Sequence, residues 1–141
     1  MTNREMALGH LRQAELRLQT ARVAREQGAW AFAVRQAQEC LELALKAALN
    51  FVGVDPPKWH DVGAILQQER HRFPEWFAKD VELIAYRSRK LADDRERSMY
   101  GSEELALPAH AIFGEVDARE AVAAAEETFA AAKRLVEAEG Q

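Results

Sequence analysis

Apolar residues recur along the first part of the chain at alternating steps of four and three: Ala7, Leu11, Ala14, Leu18 and Ala21. That rhythm marks one face of an α-helix. Thr2 followed by Glu5 reads as a capping box at its start, and Gly28 marks its end. A second stripe begins almost at once. Trp30, Val34, Ala37, Leu41, Ala44, Leu45, Ala48, Leu49 and Val52 keep to one face until Gly53 and Pro56-Pro57 stop it. So short a connection obliges the two helices to pack antiparallel.

Weaker signals follow. Asp61 is placed to cap a short helix carrying Val62, Ile65 and Leu66, and Phe73-Pro74 opens a new turn with Trp76 and Phe77 on its apolar side. From Val81 to Ser98 a third long helix is predicted, with sparser apolar positions at Val81, Ile84, Ala85, Leu91 and Ala92. Residues 99–116 contain Gly101, Pro108 and Gly114 and no sustained period. They predict a connection that wraps the bundle and tucks Leu105, Leu107, Ile112 and Phe113 inward. Asp117 with Glu120 forms a second capping box, and Ala121, Val122, Ala125, Phe129, Ala132, Leu135 and Val136 mark a closing helix. The pattern is that of an all-α domain spanning residues 1–141, without internal repeats or linkers.

With 141 residues, 48% hydrophobic and 30% charged, the chain has material for one core and is small for two. A net charge of −4 and a pI near 5.6 argue against general duplex DNA binding, which needs a broad basic face, and leave room for a local basic patch. The N-terminal residues MTNREMALGHLRQAE lack a signal peptide's apolar centre, and no later stretch approaches the ~20 apolar residues of a membrane span. A cytoplasmic protein without membrane association is expected. The single cysteine, Cys40, lies within an apolar helical run and reads as a core residue.

Familiar catalytic signatures are missing. The sequence has no phosphate-cradling glycine motif, no histidine pair at metal spacing and no G-x-S-x-G elbow. His10, His60, His71 and His110 are scattered over different segments, so neither a metal nor a cofactor is predicted. The unusual feature is RSRKLADDRERSMYG, Arg87 to Gly101, where five basic and three acidic side chains precede a tyrosine at a helix end. Guanidinium groups recognise phosphate bidentately, and a tyrosine stacks on a base or bonds a phosphate. Arg89, Arg95, Arg97 and Tyr100 are therefore the candidates for nucleotide or RNA contact. The competing reading is a solvated face of mutually paired charges. On the second helix Gln36, Glu39 and Lys46 interrupt the apolar pattern and need polar partners, across the bundle or at its surface. Trp30, Trp59 and Trp76 read as core or interface anchors.

The segment GAWAFAVRQAQECLELALKAALNFVG, followed by KWHDVGAILQQ, resembles the second and third helices of HEPN domains, named for higher eukaryotes and prokaryotes nucleotide-binding. SRKLADDRERSMYG is similar to the end of the fourth helix in a prokaryotic branch, and DAREAVAAAEETFAAAKRLV to its last helix. The resemblance spans nearly the whole chain. It implies an up-and-down bundle of four main helices with an additional short one, paired into a homodimer. Many members are encoded beside a minimal nucleotidyltransferase in toxin–antitoxin settings; others are metal-independent RNases.

The RNases carry Arg, four to six intervening residues, then His at the end of the fourth helix. Here the slots after Arg95 hold Tyr100, Gly101 and Ser102, and those after Arg97 hold Ser102, Glu103 and Glu104. The formal match, Arg4 with His10, lies at the start of the first helix. RNA cleavage without metal needs a group that exchanges protons near neutral pH, which imidazole does and tyrosine does not. The expectation is a non-catalytic HEPN subunit that binds a nucleotide or a nucleotidyltransferase partner, with Glu39, Lys46 and His60 supporting the fourth-helix end. Two alternatives stand beside it: an RNase toxin using a relocated histidine, His110 foremost, and a purely structural interaction module.

Overall fold

A computed structural model of the chain describes residues 3–138. Seven α-helices form among them: α1 (Asn3–Glu26), α2 (Trp30–Phe51), α3 (Gly63–Gln68), α4 (Glu75–Ala78), α5 (Val81–Tyr100), α6 (Ala109–Ile112) and α7 (Glu115–Ala138). Four are long and three are short, with a 3₁₀ turn at Arg70–Arg72. The predicted first capping box involves Thr2, which lies outside the described residues.

The α1 stripe is buried as its period requires, from Ala7 through Leu11, Ala14, Leu18 and Ala21 to Ala24. Gly28, at φ 75°, turns the chain back. The Ala29 N–H donates to Ala24 O and the Gly28 N–H to Arg25 O, so the last carbonyls of α1 are satisfied. The same pair of bonds closes α2 at Gly53 and Val54. The end of α1 lies beside the start of α7, Arg25 and Glu26 near Glu115 and Val116, and the start of α2 lies beside the end of α5, Trp30 near Ser98 and Met99. The four long helices therefore run up, down, up and down.

α2 is the axis of the fold and packs on α1, α7 and α5. Its Ala37, Ala44 and Ala48, with Ala118, Ala121, Ala125 and Ala132 of α7, are all buried. Side chains this small let two helices approach closely, while Leu41, Leu45, Leu49, Leu135 and Val136 fill the space around them. Each fully buried Leu or Val stabilises the bundle by about 1.5–3 kcal/mol before the entropy of ordering it is subtracted. Under one end, Phe73 stacks on Phe77 at 4.6 Å, Trp76 meets Phe77 edge-on, and Arg134 lies over the Trp76 ring at 3.9 Å.

Two expectations change at the second connection. Residues 99–116 contain α6 and one antiparallel bridge, Ser102 with Leu107. Phe113 is buried there, but Leu105 and Leu107 remain exposed, because the turn they form stands off the bundle. α7 also starts earlier than expected, at Glu115, so Asp117 is inside its first turn and accepts the Gly114 N–H at 2.8 Å. Trp59 is exposed and takes no part in the core.

Candidate functional site

The start of α2, the end of α5 and α6 meet around one cleft. Trp30, Phe32 and Arg35 line it from α2, Ser98 and Met99 from α5, and His110 from α6. Its volume of about 430 Å³ lies in the range of small-molecule sites, roughly 300–1,000 Å³. Antiparallel packing of α2 on α5 is what brings the beginning of one helix to the end of the other. Gly101, at φ 79°, then turns the chain sharply at the end of α5. A Cβ there would collide with the Leu107 carbonyl, so this turn admits only glycine. The turn carries the chain back through Pro108 into α6 and thereby delivers His110 to the cleft.

The electrostatics of this end are unbalanced. Arg35 Nε and Arg95 Nε are both buried without a hydrogen-bond partner among the described residues. A buried unpaired donor costs about 1–3 kcal/mol, more when charged, and such a group is satisfied by water or by an acceptor from a ligand. Arg95 lies one turn before Ser98 and Met99, whose side chains face the cleft, and Ser98 Oγ donates to the Arg95 carbonyl at 2.7 Å.

The sequence-predicted residues divide. Arg95 lies on the face of α5 that leads to the cleft. Arg97 is drawn back by Asp94, Nη2 to Oδ1 2.5 Å, and Lys90 lies 3.3 Å from the other oxygen of that carboxylate. Arg89 is exposed and forms no ion pair among the described residues. Tyr100 closes α5, is 74% exposed and does not line the cleft. The arginines and the tyrosine thus do not converge on one hollow.

Glu39, Lys46 and His60 lie elsewhere. Glu39 faces Arg17 of α1 at 3.6 Å. Lys46 and His60 both engage Glu42, Nζ to Oε2 at 2.9 Å and Nδ1 to Oε1 at 2.8 Å, and Gln38 Nε2 donates to the same carboxylate at 2.8 Å. Burial pushes the Glu42 carboxyl upward, but the bonds from Lys46, Gln38 and His60 and the charge of Lys46 outweigh it, so the group sits below its usual 4.5. Next along α2, Asn50 bonds His10 at 2.8 Å. Burial first, and then the Lys46 charge, hold His10 below its usual 6.5.

These contacts trace one polar stripe down α2: Arg35, Gln38, Glu42, Lys46 and Asn50, at steps of three and four. Of these, the sequence pattern singles out Lys46 alone. The spacing is visible in VRQAQECLELALKAALN, but charge next to apolar residues resembles an ordinary helix border. Glu42 lies about 10 Å along the helix from Arg35, so its network ties α2 to the loop carrying His60 and does not reach the cleft. Buried Cys40 is chemically quiet: burial pushes its thiol up to about 12. No group of three or more His, Cys, Asp or Glu suited to a metal occurs among the described residues.

The sequence model of the HEPN domain matches residues 7–135, most of the chain. No curated protein matches it. Among solved structures, the crystal structure of TT1696 from Thermus thermophilus is similar, with a TM-score of 0.74 and 24% identity over 91% of this chain and 96% of that one. At that identity the likeness speaks for the fold alone.

Proposed function

The chain belongs to the HEPN domain family, and from that premise we propose that it is a non-catalytic subunit binding the phosphate of a nucleotide or RNA in the cleft at the start of α2. The observation that carries this reading is Arg35, whose Nε is buried and unpartnered in the cleft wall. Arg35 and Arg95 offer charge-assisted donors to a phosphate. Trp30, Phe32 and Met99 supply an apolar surface on which a base rests. In this reading the protein self-associates and acts beside a minimal nucleotidyltransferase in a toxin–antitoxin-like setting. No helix among the described residues is long and apolar enough to cross a membrane, in keeping with a cytoplasmic role. Fluorescence anisotropy with a labelled single-stranded RNA and with labelled ATP tests the binding. A rise that Arg35→Ala abolishes supports it, and flat traces for both probes remove it. Co-purification with a nucleotidyltransferase encoded beside it tests the partner.

A second reading follows from His110. The sequence motif of the family's RNases lacks its histidine here, yet His110 lines the same cleft as Arg35. In that arrangement the imidazole accepts the proton of an RNA 2′-hydroxyl as the oxygen attacks the adjacent phosphorus, and Arg35 steadies the charge gathering on the phosphate oxygens. The departing 5′-oxygen takes its proton from water. Incubation of the protein with tRNA separates the two readings: cleavage lost in His110→Ala establishes catalysis, and intact RNA at bound stoichiometry leaves the binding role. If the protein neither binds nor cleaves, the purely structural module is what remains.

A further inference from the structure

The pole of the bundle away from the cleft carries a second hollow, of about 280 Å³, where α4 and the start of α5 meet the end of α7. Ile84, which lines it, lies about 20 Å along α5 from Ser98 of the cleft. Its floor is apolar: Phe77 and Ile84 are 1% and 4% exposed, and Ala130 and Ala131 close it from α7. The volume falls just under the roughly 300–1,000 Å³ of drug-sized sites. It suits a molecule smaller than a nucleotide.

Three charged side chains surround this floor, Lys79, Asp80 and Arg134. None of them forms an ion pair or a side-chain hydrogen bond among the described residues, whereas Arg22, Arg72 and Arg87 each meet a carboxylate. Arg134 lies instead over the Trp76 ring, 3.9 Å from its centroid. Stacking on indole holds the guanidinium by its face and leaves the N–H groups of its edge to donate. A donor held in place before a ligand arrives loses less freedom on binding, which favours bidentate capture of a carboxylate. Asp80 is unspent in a different way. It stands at the N-cap of α5, yet its side chain does not bond the first N–H groups of that helix, the usual role of an aspartate there. It also lies too far from Lys79 and Arg134 to pair with either.

We propose that this hollow binds a free α-amino acid with an apolar side chain. Such a molecule carries the three features that the lining complements: a carboxylate for Arg134 and Lys79, an ammonium for Asp80, and a hydrocarbon group for the floor of Phe77 and Ile84. A simple anion sets its charge beside Asp80, and a simple cation meets two positive side chains. Only a ligand with both charges on neighbouring atoms satisfies the acid and the bases together. The site is separate from the cleft at the start of α2 and does not depend on it.

Calorimetric titration of L-leucine and of L-phenylalanine into the full chain tests the proposal. Both are expected to bind. N-acetyl-leucine, which lacks the ammonium, and leucinamide, which lacks the carboxylate, are each expected to bind about fivefold or more weakly. Arg134→Ala and Asp80→Asn are expected to weaken leucine binding by a similar factor, with helicity unchanged by circular dichroism because both side chains are exposed. Arg35→Ala is expected to leave it unchanged. No heat from either amino acid at up to about 10 mM overturns the proposal. Equal affinity for N-acetyl-leucine overturns the amino-acid assignment in favour of a simple anion site. Leucine binding that neither Arg134→Ala nor Asp80→Asn alters overturns this hollow as its location.

Discussion

Arg97 Nη2 lies 2.5 Å from Asp94 Oδ1, so the guanidinium nearest the tyrosine of the basic run is already neutralised within its own helix. Arg35, which the basic run does not contain, has an unsatisfied donor, as does Arg95 within the run. Of the two, Arg35 lines the cleft, so the charge available to a ligand there sits on α2 and not where the density of arginines is greatest. Replacing Arg97 by alanine is expected to change affinity for ATP or short RNA less than about fivefold, since surface ion pairs are worth at most about 1 kcal/mol. Side-by-side anisotropy titrations of Arg97→Ala and wild type check this.

Gly101→Ala is expected to destabilise the fold by about 1–3 kcal/mol, because alanine is strained at φ 79° and its Cβ meets the Leu107 carbonyl. His110 reaches the cleft through this turn, so ligand affinity should fall as well. Urea denaturation gives the first quantity and anisotropy the second. Unchanged stability would show that the chain leaves α5 by a different turn.

Acid is expected to weaken the fold in two stages. His10 is held below 6.5, so its neutral form is favoured by folding. That stability is complete above pH 6.5 and is lost as pH falls through the folded-state value. Glu42 is held below 4.5, so its charged form is favoured. Its contribution is complete above pH 4.5 and is lost lower down, as the folded-state carboxyl takes up a proton. Urea midpoints measured from about pH 7.5 to about 3.5 should show both stages, with His10→Gln flattening the upper and Glu42→Gln the lower.

Cys40 is fully buried, with its thiol pushed up to about 12. It is expected to resist alkylating reagents at about pH 8 in the native state and to react at the rate of a free thiol in denaturant. Rapid native labelling would mean that α1, α2 and α7 separate readily at this point.

The long helices are legible because each repeats its apolar residues at three and four: the stripe from Ala7 to Ala21 and that from Trp30 to Leu49 are the faces that pack. Leu105 and Leu107 mislead because apolar character alone does not say whether a turn lies on the bundle or stands off it. The site is legible only in part. Arg95 and the end of α5 are visible as a charge cluster, whereas Arg35 and His110 come together through the antiparallel packing of α2 on α5 and the turn at Gly101. No spacing along the chain records that meeting. Lys46 stands out in the sequence as a polar residue needing a partner and His60 as a supporting candidate, but the partner of both is Glu42.

Calorimetric titration of ATP and of a short single-stranded RNA into the wild type and Arg35→Ala tests the central claim most directly. Charge-assisted bonds to a guanidinium are worth about 1.5–3 kcal/mol, so the substitution is expected to weaken binding about 10- to 100-fold with the helical content unchanged. Equal affinity in the two proteins, or no heat in either, would contradict an anion site at the start of α2.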